Sequence, residues 1–162
     1  MVHVPPQIKG QSCHRTMFLE AKLADRLYAA MSGRSSHDKR LAGLLQDVDN
    51  FVSGQFISFG DHPFEKKKIA FMARTDPVEM GIFDVRSLAP SPAMRLFGAF
   101  TEADTFVGLT IRTRAELGSK DERHFSEALV EAQFVWNSLF PDDKPFFSFN
   151  PAEHVSQNVY IV

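Results

Sequence analysis

The amino-acid sequence predicts an α+β fold, and three observations carry that prediction. Apolar residues recur at helical spacing in two stretches near the N-terminus and one near the C-terminus. Strand-like runs lie between them, separated by turn-forming residues. The connections between those runs are too short for crossover helices, which favours an antiparallel meander. The architecture expected is therefore an N-terminal helical hairpin, a small antiparallel sheet of three to five strands, and a C-terminal amphipathic helix packed on it. With 162 residues the chain suits a single domain, residues 1–162, with 1–12 as an extended arm and 145–162 as a tail packed on the domain.

The elements follow in chain order. Pro5, Pro6, Gly10 and Ser12 keep the first residues extended. A helix is expected over 15–31, where Leu19, Leu23 and Leu27 recur at i+4 and Gly33 ends the run. Ser36 caps a second helix in which Leu41, Leu44, Leu45, Val48 and Val52 fall at helical spacing, with Gly54 as its terminator. Residues 56–59 read as a short strand broken by Gly60 and Pro63, and residues 66–72 fit a helix or a strand. Strands are expected over 82–88, 94–100 and 105–114. Ser119 and Glu122 have the spacing of a capping box, and Phe125, Leu129, Ala132, Trp136 and Leu139 form one apolar stripe that Pro141 stops. A last short strand near Val159 closes the chain.

Composition narrows the function classes. The 44% hydrophobic and 23% charged fractions exclude wholesale disorder, and a net charge of −2 excludes a chain that is basic throughout. The charge is uneven: residues 116–162 carry three basic and eight acidic side chains. The single cysteine, Cys13, excludes an intrachain disulfide framework and suits a reducing cytosol, so a cytoplasmic location is expected. The start, Met1 to Pro6, has no apolar run of signal-peptide length, and no stretch is long enough to span a bilayer. The six histidines show no paired ligand spacing, so no metal and no cofactor is expected. Sixteen Phe residues point to a Phe-packed core, because Phe buries a large surface without a polar handle.

Side chains alternate between the faces of a strand, so parity predicts which residues share a surface. On that rule Arg86, Arg95, Arg112 and Arg114 meet on one face of the sheet, with Phe97 and Phe106 among them. Guanidiniums bind phosphates and aromatic rings stack on bases, the combination that single-stranded nucleic acid requires. Lys67 and Lys68 add positive charge nearby. Asp84, Glu102 and Asp104 are available to neutralise the arginines instead.

The order of these pieces resembles the RelE/HigB-type toxin family. The resemblance covers residues 15–114 and rests on the helical hairpin, then Phe83 to Ser87, Met94 to Phe97, and Thr105 to Arg114. It implies cleavage of messenger RNA, usually on the ribosome, and an antitoxin protein as the silencing partner. Arg86, Arg95 and Arg112 would take the catalytic phosphate-contacting places, and Arg114, Phe97, Phe106, Lys67 and Lys68 would hold RNA. The implied chemistry is in-line attack by a ribose 2′-hydroxyl, with arginines stabilising the developing charge. Tyr160 is a late tyrosine of either catalytic or ordinary tail character.

The competing class is a non-catalytic protein-interaction domain that uses a Phe-rich surface, such as Phe146, Phe147 and Phe149, or a sheet edge. A nuclease needs several arginines free of carboxylates on one positive face, whereas an interaction domain leaves them salt-bridged. A homodimer is compatible with both.

Overall fold

The computed structural model describes residues 1–8, 10–33, 35–61, 70–118 and 122–162. Its strands are β1 (Val2–His3), β2 (Thr16–Leu19), β3 (Ile57–Gly60), β4 (Met72–Arg74), β5 (Ile82–Ser87), β6 (Met94–Glu102), β7 (Thr105–Thr113) and β8 (Val159–Ile161). Its helices are α1 (Ala21–Ala30), α2 (Ser36–Val52) and α3 (Glu122–Leu139). The eight strands form one sheet in the order β1-β2-β7-β6-β5-β4-β3-β8.

The chain is an α+β fold, but the expected architecture needs correction. The sheet is larger than three to five strands and is mixed: β2 runs parallel to β7, and β3 runs parallel to both β4 and β8. The central meander β4-β5-β6-β7 is antiparallel throughout, as is the edge pair β1–β2. Nor does a helical hairpin open the chain. Thr16–Leu19 is a strand whose Met17 and Leu19 are buried, and α1 starts only at Ala21, capped by the Glu20 carboxylate on the Leu23 amide at 2.9 Å. The i+4 series Leu19, Leu23, Leu27 concealed this, because one apolar residue at the end of a strand stands in phase with the helix that follows.

Two helices cover one face and one covers the other. Leu23 and Leu27 of α1 and Leu41, Leu44, Val48 and Phe51 of α2 pack on Phe83, Val85, Leu96, Phe100 and Phe106. Leu129, Ala132 and Trp136 of α3 pack on Ile82, Phe97, Ala99, Val107 and Leu109 from the opposite side. Ser35, one residue before the expected cap, closes a capping box with Asp38 at the start of α2. The Ser119–Glu122 box lies outside the described residues. Beyond α3, the Trp136 indole donates to the Asp143 carbonyl at 2.8 Å, which folds the chain back toward the sheet.

A bulge between β6 and β7 decides which side chains face α3. Phe97 pairs with Thr110 but Gly98 pairs with Gly108, so Leu109 is an extra residue on β7. The parity of β7 reverses there. At Gly98 the strand also lies against the Phe106 ring: an added Cβ would stand 2.5 Å from Phe106 Cζ and would run into the Val107 carbonyl. Gly98→Ala is therefore expected to destabilise the fold by about 2 kcal/mol or more through overpacking. Urea unfolding checks this, and a midpoint equal to that of the wild type would show that the bulge yields.

Candidate functional site: the arginine row

Arg86 on β5, Arg95 on β6 and Arg112 on β7 are direct cross-strand neighbours, in register as Arg86–Arg95 and Arg95–Arg112. The three strands thus set three cations in one line across the α3 face of the sheet. The Leu109 bulge puts Arg112 on the same face as Val107 and Leu109 and takes Phe106 off that face. Without that extra residue, the β7 face that carries Val107 and Leu109 would have carried Ile111 instead.

Anions of the chain meet each of these cations. Asp84, which stands one strand pair further along the same face, is fully buried. Its carboxylate accepts from Arg86 Nε at 3.1 Å and forms an ion pair with Arg95 Nη1. Arg112 forms an ion pair with Glu131 of α3 and donates through Nη1 to its own Ile111 carbonyl at 2.8 Å. Arg114, just past the end of β7, donates to the Gly118 carbonyl. Burial pushes the Arg95 guanidinium down to about 10, helped by the neighbouring charge of Arg114. Burial lowers Arg86 as well.

The rings expected among the arginines are elsewhere. Phe97 shares their face but is fully buried, edge-on to Phe125 of α3 at 5.5 Å. Phe106 lies on the opposite face, buried against Phe51 and Phe100, because the bulge reverses the parity on which its placement rested. Neither presents a π-face to solvent. Lys67 and Lys68 lie outside the described residues. Tyr160 is exposed on β8, at the far edge of the sheet from β7. Cys13 is exposed, and its thiol donates to the Arg15 carbonyl at 3.1 Å. Among the described residues no group of acidic, histidine or cysteine side chains has the geometry of a metal site, and no helix is long and apolar enough to cross a membrane.

Sequence reasoning missed two buried cations and one buried base. Arg15 is 3% exposed and donates to the carbonyls of Phe51, Gln55, Gln157 and Asn158, so it ties the end of α2 to the C-terminal segment. Arg74 is buried beside Asp61, with Nε 2.9 Å from Oδ1, and donates to the Ser148 carbonyl at 2.7 Å. His154 is fully buried among Phe59, Phe83, Phe100 and Phe146, with ring centroids 5.0–6.2 Å away. No local pattern marks these residues, since their partners lie far away in the sequence.

No protein-family model matches the chain, and no match was found among curated proteins or among solved structures.

Proposed function

We infer that the chain is a non-catalytic protein-interaction domain that works through a sheet edge or an apolar surface. One observation carries this reading: Arg86, Arg95 and Arg112 are engaged with the chain's own carboxylates, and Arg114 with a backbone carbonyl. A phosphate would have to displace Asp84 from a fully buried place, which leaves a desolvated carboxylate without its cations. Meanwhile apolar side chains stand uncovered. Phe134 and Val130 lie one turn apart on the outer face of α3, and Phe149, Phe56, Tyr160 and Ile161 are exposed near the C-terminal segment.

The discriminating experiment is primer extension on naked and on ribosome-bound messenger RNA, with folded wild type and Arg95→Ala/Arg112→Ala. The expected result is no cleavage by either protein. Cleavage by wild type that the double variant loses would overturn the interaction reading and restore RNA cleavage as the function.

A further inference from the structure

The outer edge of β7 is only half covered. β2 pairs with Thr105 through Gly108 and then stops at Leu19, where the chain turns into α1. Among the described residues no strand lies beside Leu109 to Thr113 on that side. A cleft of about 410 Å³ opens there. Four consecutive residues, Leu109 to Arg112, line it. Neighbours in a strand point to opposite faces, so all four meet one cleft only if it runs along the strand's edge. Its walls are α1 and α3, the helices that cover the two faces of the sheet.

The edge offers backbone groups to the cleft. The Arg114 amide donates to the Ala93 carbonyl, which makes Arg95–Arg112 and Phe97–Thr110 the hydrogen-bonded pairs of the ladder. Ile111 therefore turns its N–H and C=O away from β6 and toward the cleft. Its carbonyl accepts Arg112 Nη1, a side chain standing where the donor of another strand would be. At the end of the edge the Thr113 amide is already taken by Glu116 at 2.6 Å. Thr110, which also lines the cleft, is 8% exposed, and its hydroxyl has no hydrogen-bond partner among the described residues.

We propose that this cleft is a strand slot, in which an extended peptide segment with alternating apolar and acidic residues pairs with β7 beyond Gly108. The proposal rests on the reading of the chain as an interaction domain and names its docking site. A run of about three or four residues fits the open edge at the rise of a strand. The chemistry of the segment follows from the walls. On the α3 side Val135 and Leu139 present apolar surface beside Ser138, with the Glu131 carboxylate of that wall taken up by Arg112. On the α1 side Lys22 and Arg26 present cations, while the Glu20 carboxylate there is held by its helix cap. Alternation of the incoming strand sends apolar side chains to α3 and acidic ones to α1.

Amide hydrogen exchange by NMR on the full chain tests this, with three acetylated and amidated pentapeptides as probes: VEVEV, VKVKV and VEPEV. VEVEV is expected to slow exchange at Ile111 by about tenfold or more, since a strand partner protects an edge amide. VEPEV, which lacks a donor in its middle, and VKVKV, which reverses the charge, are expected to have no such effect. Ser138→Trp fills the cleft from an exposed position on α3 and is expected to abolish the protection. Unchanged exchange at Ile111 under millimolar VEVEV would overturn the slot. Equal protection by VKVKV would overturn the acidic partner. Protection that rises with protein concentration alone would assign the edge to a second copy instead. Failure of the slot without RNA cleavage leaves the interaction reading standing on its other surfaces, whereas RNA cleavage removes that reading itself.

Discussion

Asp84→Ala is expected to cost the fold about 3–5 kcal/mol, the range for removing one partner of a buried ion pair. The carboxylate is fully buried and meets both Arg86 and Arg95, whose side chains are each only 20% exposed. Alanine leaves two half-buried guanidiniums directly opposite each other on β5 and β6, with Arg112 next in the line. Their mutual repulsion then has no counter-ion at the centre. The exposed ion pair of Arg112 with Glu131 provides the contrast: Glu131→Ala removes a carboxylate that is 45% exposed, and such pairs contribute about 1 kcal/mol or less. Urea unfolding of the two variants separates the cases. Adding Arg95→Met to Asp84→Ala is expected to restore part of the loss, since the orphaned cation goes with its partner. A loss under about 1 kcal/mol for Asp84→Ala would mean that both arginines reach solvent freely, and the electrostatic account of the row would fail.

The arginine row shows what the sequence makes legible. Strand parity puts Asp84, Arg86, Arg95, Phe97 and Arg112 on one face, and the register agrees, because β5, the first half of β6 and the end of β7 are regular. Parity failed at Phe106 because a one-residue bulge reverses the faces of β7, and no residue in Leu109-Thr110 announces a bulge. Arg112, beyond the bulge, keeps the face that parity gives it. Parallel pairings were illegible for a different reason. β2 and β7 meet across most of the chain, as do β3 and β8, and neither pair is joined by a turn that local residue types would reveal. The α3 stripe, by contrast, was fully legible: Leu129, Ala132 and Trp136 are buried as the helical period requires. What no pattern along the chain contains is the pairing of charges. Glu131 lies on the outer part of α3, and only the packing of that helix on β7 brings it to Arg112.

His154 makes the fold sensitive to acid, and the direction follows from its surroundings. Burial among four Phe rings pushes its imidazole down from the ordinary 6.5 to about 4, and the nearby positive charge of Arg74 pushes the same way. Neither ring nitrogen has a hydrogen-bond partner among the described residues. The adjacent backbone of Asn150 and Phe146 and the charge of Glu153 favour the protonated form without offsetting burial. An unfolded chain takes up this proton near pH 6.5, whereas the folded chain takes it up only near pH 4. Between those values the unfolded state holds more protons, so stability rises with pH. The contribution of His154 is fully present above pH 6.5 and is lost as the pH falls toward 4, by about 3 kcal/mol in all and about 2 kcal/mol at pH 5. His154→Leu keeps an apolar group of similar size in the Phe cage and has nothing to protonate. Urea midpoints of wild type and variant are expected to be close at pH 7.5 and to diverge at pH 5, with the variant the more stable. Carboxylates shared by both proteins cancel in that difference. The loss has a definite place in the structure, because the Asp104 amide donates to the His154 carbonyl and the Asp104 carboxylate accepts from the Ser156 amide. Protonating His154 therefore loosens the segment that leads into β8, and exchange at the Val162 amide, which donates to Phe59, should quicken before the central strands open. Equal pH dependence in wild type and His154→Leu would refute this, because the buried imidazole would then make no difference between the folded and unfolded chains.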